Sequence, residues 1–387
     1  MCRGGVNRAE AVSDNAIEAV LAAVEAHPGS LAVLSAASYA VGRLPSFTAE
    51  AADPVVKAVV AAMTARLDDA AVQGAACNML WNMASSRPRN GAVHADTAAS
   101  VIGAALASME AHPGVERVHK NACLALGSMT RVAENKAIAL EAGAGEALVA
   151  SMKAHTACMY LKIWACEALA NIMPSASKQL KGAAWEAAVA AMAAHPGEAH
   201  LQAAACAALP VMIAGANSKM KASALKAVLA TVDAHRDDAG LQHKAWAAVS
   251  AITAGANRKM QNSFASAIGA AIAAMGAHGD DAAVQEQACA VVANLMVKNA
   301  ANAVKAGGAG IDAALAAMKA HSRRGGVQEK ACAALANMAS GADSDMKTRF
   351  LAAMEAVQAA LKAHPGHAGV QKEACAALAN MARFMPN

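Results

Sequence analysis

The 387-residue chain holds 13 histidines and nine cysteines, the residue types that most often bind metals or act as nucleophiles. They recur in a register. Histidine stands at His27, His112, His155, His195, His235, His278, His321 and His364, with Arg66 in the one remaining place. Eleven residues further on lies Cys77, Cys123, Cys166, Cys206, Cys289, Cys332 or Cys375, and in two cases Ser38 or Trp246. A zinc site needs four converging ligands, usually through paired spacings such as C-x2-C, whereas each interval here supplies one His and one Cys separated by a turn. Single cysteines at one recurring apolar place read as small core hydrophobes of a reducing compartment, buried and unpaired. Cys2 and Cys158 fall outside the register. The Gly-x-Gly at Gly143 and the run Gly307 to Gly310 follow no strand, so they read as turns between helices rather than dinucleotide loops. No Ser/His/Asp or Cys/His grouping avoids the register, and a repeated residue gives catalysis no singular site. The reading is a protein that is not an enzyme and has no cofactor and no metal.

The elements that position these residues follow from the same spacing. The anchors are 39, 46, 43, 40, 40, 43, 43 and 43 residues apart, which makes nine repeats of about 43 residues and marks stacked supersecondary units. Seven residues after the anchor lies Gln73, Gln202, Gln242, Gln285, Gln328 or Gln371, and fourteen after it a Leu or Val such as Leu80, Leu126 or Val249. Places 7, 11, 14 and 18 trace one helix face. Pro-Gly ends the preceding helix after His27, His112, His195 and His364, while Asp68-Asp69, Asp237-Asp238 and Asp280-Asp281 are placed to cap the helix that follows. The 114 alanines, against 3% aromatic residues, favour thin helical layers over strands or thick cores. A net charge of +4 without a Lys/Arg cluster does not indicate nucleic acid, and charged or polar residues interrupt every apolar run before the ~20 residues a membrane span needs. The start of the chain reads as neither a secretory signal nor a transit peptide. The expectation is an intracellular, most of all cytoplasmic, protein, with the nucleus or a large assembly as other settings.

The endings "ACAALANMA" (331–339 and 374–382) and the stretch "ALEAGAGEALVASMKAH" (139–155) resemble the armadillo repeat, over about residues 14 to 384. The resemblance implies an all-α, right-handed superhelix of about nine repeats, with 1–13 as an N-terminal extension, 14–384 as one solenoid domain and 385–387 as a tail. Gly143, Gly145, Gly307, Gly308 and Gly310 match the family's turn between its first and second helices. In "KQLKGAAWEAAVAAM" and "SKMKASALKAVLATV" that turn is degenerate and the repeat tends to a two-helix, HEAT-like form. In the family the third helices line a concave groove, and an Asn near the end of that helix holds the backbone of an extended peptide. Asn82, Asn171, Asn294, Asn337 and Asn380 match that place. An amide both donates and accepts, so such a ladder either pairs with a peptide backbone or bonds the backbone of the neighbouring repeat. Lys244, Gln287, Lys330 and Glu373, two turns earlier, share its face. The importin α pattern of Trp four residues before the Asn is absent: Asn78, Glu167, Ala290, Ala333 and Ala376 stand there.

The function expected is therefore a protein-interaction scaffold or adaptor whose groove takes a peptide or partner segment. The alternatives are a structural subunit of a large assembly that uses its ends and convex surface, and, behind both, a nuclear-transport adaptor. Neither nucleic acid nor membrane insertion is expected. Lys136, Lys219 and Lys259, with Lys178 one place early, form either a basic edge suited to an acidic or phosphorylated segment or a solvated loop. Leu378, Met381, Phe384 and Met385 at the C-terminal end either pack on a partner or a second copy, end to end, or fold back as a cap.

Overall fold

A computed structural model describes residues 3–44, 49–85, 95–341 and 346–384, and every regular element among them is a helix. The chain divides into two compact units, 1–195 and 196–387. The N-terminal unit contains α1 (Arg3–Ala26), α2 (Leu31–Val41), α3 (Ala49–Ala65), α4 (Ala70–Ser85), α5 (Ala95–Ala111), α6 (Glu116–Met129), α7 (Ala133–Glu141), α8 (Ala144–Ala154), α9 (Met159–Ile172) and α10 (Lys178–Ala194). The C-terminal unit contains α11 (Ala199–Met212), α12 (Ser218–Ala234), α13 (Ala239–Thr253), α14 (Arg258–Ser263), α15 (Ser266–Ala277), α16 (Ala282–Met296), α17 (Ala300–Ala320), α18 (Gly325–Gly341), α19 (Lys347–Ala363) and α20 (Ala368–Met381). The first helix runs through the stretch expected as an extension.

Within each unit the helices form two layers. The register helices α2, α4, α6 and α9 pack side by side in the N-terminal unit, and α11, α13, α16, α18 and α20 in the C-terminal unit. The intervening helices cover one side of them. Gly143 at φ +84° separates α7 from α8 and Gly307 at φ +53° breaks α17, where glycine permits the left-handed turn, whereas α14 and α15 part at Phe264 and Ala265 with no positive φ. Without that turn, α10 and α12 each run through 17 residues as single helices. Asp69, Asp238 and Asp281 cap α4, α13 and α16 through their carboxylates, and the backbone N–H of Val72 helps hold the Asp69 carboxyl below the usual range.

Three side chains of the register do the joining. The Gln seven residues after the anchor donates its amide to two carbonyls at the C-terminus of the preceding helix: Gln328 Nε2 lies 2.8 Å from Met318 O and 3.1 Å from His321 O. Gln73, Gln242, Gln285 and Gln371 make the same pair of bonds. These are carbonyls that a helix end leaves without an intrahelical partner, and here they face a packed neighbour instead of water. The Gln oxygen then accepts from the next repeat, from Ser108 at Gln73 and from Thr231 at Gln202. The anchor histidine ties repeat to repeat: Nε2 of His112, His235, His321 and His364 lies 2.7 to 3.0 Å from the carbonyl of Leu67, Pro196, Gly279 and Ser322 respectively. A carbonyl only accepts, so that nitrogen carries the proton.

Three positions replace the Gln: Leu34, which is buried and apolar, His119 and Lys162. His119 is buried and its Nδ1 bonds Ser151 Oγ, as the oxygen of Gln73 bonds Ser108. Desolvation, then the neighbouring His155 ring 4.5 Å away, hold its pKa below the ordinary histidine value. Lys162 donates to Thr156 O and, at 3.0 Å, to His195 Nε2, and burial lowers its pKa.

Replacing Gln328 by Ala leaves two packed carbonyls without donors and is expected to cost about 1–3 kcal/mol of stability, read by denaturant titration. His119 gives a second prediction. A depressed folded-state pKa means that the unfolded chain takes up the proton first, so this contribution to stability is complete above pH 6.5 and is lost as pH falls below it. His119→Gln restores the register amide and should flatten the melting temperature between about pH 6.5 and about pH 5 relative to the parent chain; equal slopes for the two proteins would contradict it.

Candidate functional site

The five asparagines sixteen residues after their anchors are all half-buried on the register helices, and each directs its amide N–H at the preceding repeat. Asn337 Nδ2 donates to Ala293 O at 3.0 Å and Asn380 Nδ2 to Ala336 O at 2.9 Å. Asn82 bonds Ser38 O and Oγ, Asn294 bonds Ser250 O and Thr253 Oγ1, and Asn171 bonds Thr130 Oγ1. Of the two roles open to this amide, the donor half takes the structural one. The Oδ1 atoms have no hydrogen-bond partner among the described residues and are not among the buried unpaired atoms, so they face solvent as acceptors. Asn82 and Asn171 lie in the N-terminal unit, Asn294, Asn337 and Asn380 in the C-terminal one.

Lys244, Gln287, Lys330 and Glu373 lie on the same helix faces as the C-terminal Asn residues. Lys244 is exposed, and the other three are half-buried. Lys330 pairs with Glu329 at 2.6 Å and Glu373 with Lys372 at 2.8 Å. In the N-terminal unit that face is different in kind. Tyr160, five residues after its anchor and 61% exposed, is followed one helical turn later by Trp164, whose ring lies 6.4 Å from that of Trp81. Trp81 comes from α4 and Trp164 from α9, and between them α6 presents Gly127 and the buried Leu124. Tyr39, 66% exposed, stands under the Arg43 guanidinium, 4.9 Å from the ring centre. Four of the ten aromatic residues of the chain thus lie on this layer of one unit with surface to spare. None of them stands four residues before an Asn of the register; they occupy places 5, 9, 12 and 15 after their anchors.

The four lysines of the expected basic edge divide between the units. Lys136 (half-buried) and Lys178 (exposed) are in the N-terminal one, Lys219 and Lys259 (both exposed) in the C-terminal one. At the C-terminal end, Met381 is fully buried, Leu378 is half-buried, and Phe384 stacks on Phe350 with 5.1 Å between ring centres and 7° between planes. Arg383 lies over the Phe384 ring at 4.7 Å and donates to Ala339 O. Phe384 therefore folds back on its own chain. Met385 lies outside the described residues.

The expectation that all register cysteines are buried needs one correction. Cys77, Cys123, Cys166, Cys206, Cys289 and Cys332 are buried and unpaired, but Cys375 is exposed, because α20 has a register helix on one side only. Burial pushes the thiols up, to about 12 at Cys77, Cys166, Cys289 and Cys332. Among the described residues no three His, Cys, Asp or Glu converge as a metal site requires, and no helix is long and apolar enough to cross a membrane.

Comparison with known folds agrees with this architecture. The all-helical fold is similar to those of two solved structures. The crystal structure of an engineered protein is similar at 24% identity, with a TM-score of 0.71 over 95% of this chain and 88% of that one. A structure from work on a phosphorylation switch in the interaction between cadherin and β-catenin is similar at 18% identity, with a TM-score of 0.66 over 91% of this chain and 68% of that one. No family model and no curated protein sequence matches the chain.

Thiol labelling of the native protein, mapped by mass spectrometry, is expected to mark Cys375 and to leave the six buried register cysteines unmodified until denaturant is added. Labelling of Cys289 and Cys332 at the rate of Cys375 would show that the layers open in solution.

Proposed function

We propose that the protein is a non-enzymatic interaction scaffold whose register helices bind an extended peptide or a segment of a partner protein on their open face, the face that forms the concave groove of armadillo proteins. The observation that carries this reading is the aromatic group Tyr39, Trp81, Tyr160 and Trp164 on that face of the N-terminal unit. The chain is poor in aromatic residues and its two other tryptophans, Trp185 and Trp246, are fully buried. Tyrosine and tryptophan left partly in water carry large apolar area at small entropic cost, and such residues dominate the energetics of protein interfaces. The outward Oδ1 atoms of Asn82 and Asn171 supply acceptors for the N–H groups of a bound backbone, while the matching donors are engaged between repeats. The reading carries with it an intracellular, reducing setting, supported by the seven buried, unpaired thiols among the described residues.

A peptide library displayed on phage and selected against the protein tests this. Selected peptides are expected to bind the Trp81→Ala/Trp164→Ala protein at least about 30-fold more weakly, roughly 2 kcal/mol, with the helical circular dichroism signal retained. Selected peptides that bind both proteins equally would move the reading to a structural subunit of a larger assembly that uses its ends and opposite face.

A further inference from the structure

The two units differ in charge. Residues 1–195 carry 15 Lys and Arg against 16 Asp and Glu, whereas residues 196–387 carry 18 against 13. The excess has a place. In the C-terminal unit the register helices α11, α13 and α16 lie side by side in the same direction, so the turns that leave their C-terminal ends share one edge. Those turns hold Lys219 and Lys221 at the start of α12, Arg258 and Lys259 at the start of α14, and Lys298 between α16 and α17. The stretches 212–222, 253–263 and 296–311 contain no Asp or Glu. Lys219, Arg258, Lys259 and Lys298 are exposed and Lys221 is half-buried. None of the five side chains has an ion-pair or hydrogen-bond partner among the described residues.

This edge is held rigidly from beneath. Gln261, Asn299 and Asn302 are buried at its base. Gln261 Nε2 donates to Asn294 O and Val297 O, Asn299 Nδ2 to Gln261 Oε1 and Asn262 Oδ1, and Asn302 Nδ2 to Gln261 O and Leu295 O. The bond from Gln261 to Val297 O fixes the Arg258–Lys259 turn against the turn that carries Lys298. Lys298 itself has φ +52°, the one non-glycine residue in the left-handed region among those described, and the same place in the preceding repeat is Gly255 at φ +64°. A lysine kept where glycine is the unstrained choice points to use of its side chain, since the backbone gains nothing from it.

We propose that this edge is a docking surface for an acidic polypeptide segment, a run of Asp and Glu in extended conformation. Five uncompensated cations on three consecutive repeats complement such a run in sign. They complement it in spacing as well: packed helices stand about 8–10 Å apart, and an extended chain of the polyproline II type, with about three residues per turn and a rise of about 3.1 Å, brings every third side chain to the same side at about that distance. Four of the five cations are lysines, point charges that suit successive single carboxylates better than the forked recognition of a phosphate, for which arginine is the better residue. The surface is separate from the aromatic face of the N-terminal unit and does not rest on the reading of that face.

The probe is a fluorescein-labelled peptide with Asp at every third position among Gly and Ser, titrated with the full-length protein and read by anisotropy. The same peptide with Asn for Asp and a single-stranded oligonucleotide of equal length serve as controls. Binding of the acidic peptide is expected, tighter than that of either control and weakened by added salt. The Lys219→Gln/Arg258→Gln/Lys259→Gln/Lys298→Gln protein, checked by circular dichroism, is expected to lose at least about tenfold in affinity, a factor equivalent to about 1.4 kcal/mol. Lys298→Gly is expected to melt no lower than the parent chain and still to bind more weakly, which separates the side chain from the turn it occupies. The Trp81→Ala/Trp164→Ala protein is expected to bind the acidic peptide as the parent does. Unchanged affinity in the fourfold variant, undiminished binding by Lys298→Gly, or an oligonucleotide that binds where the acidic peptide does not would each overturn the proposal.

Discussion

The C-terminal carbonyls of a helix are the constraint on which this architecture turns. A stacked array packs each helix end against its neighbour, where water does not reach carbonyls that lack an intrahelical donor. The register Gln answers this with one amide that spans both carbonyls and an oxygen left over to bind the next repeat. Two of its three replacements keep donor and acceptor chemistry, while the third, Leu34, is apolar. His119 keeps the bond to the following repeat, and Lys162 reaches the anchor of the following repeat as well as the turn beneath it. The histidine and asparagine of the register work by the same principle at the two ends of the helix, each giving an N–H to a carbonyl of the preceding repeat.

Alanine sets the scale of everything else. Side chains that lose almost no entropy and project little let the helices pack in thin layers, so the core needs only a few large residues, among them Trp185, Trp246, Phe264 and Phe350. Cysteine fits the same narrow space. At Trp246, where the register cysteine gives way to a much larger ring, the indole N–H finds the oxygen of Gln242 one turn earlier, so even that exception keeps its polar group paired.

A framework satisfied internally leaves little polar chemistry over, and what is left falls unevenly. The N-terminal unit has aromatic area on its register helices, and the C-terminal unit has cations on the edge where those helices end. These are the two features that depart from the repeat. A residue that recurs in most repeats is best explained by what every repeat needs, whereas Tyr160, Trp164 or Lys298 stands at a place its counterparts fill with something smaller or uncharged. The contrast between shared and singular positions locates candidate surfaces here better than any motif.

The helical class, the register, the turn at Gly143 and the capping role of the aspartate pairs could be read from the sequence, because period, propensity and cap chemistry act over a few residues. What each repeated amide does was not legible. Asn337 offers the same donor and acceptor to a peptide or to Ala293, and only the packing of one helix on the next brings that carbonyl to 3.0 Å and turns the oxygen outward. Phe384 was likewise open between a partner and its own chain, and only the tertiary structure brings it onto Phe350. Cys375 has the sequence surroundings of Cys332 and differs in burial because a neighbouring register helix lies on one side of α20 and not the other. Spacing along the chain fixes which face a residue occupies, and what that face meets depends on distances between helices, a tertiary quantity.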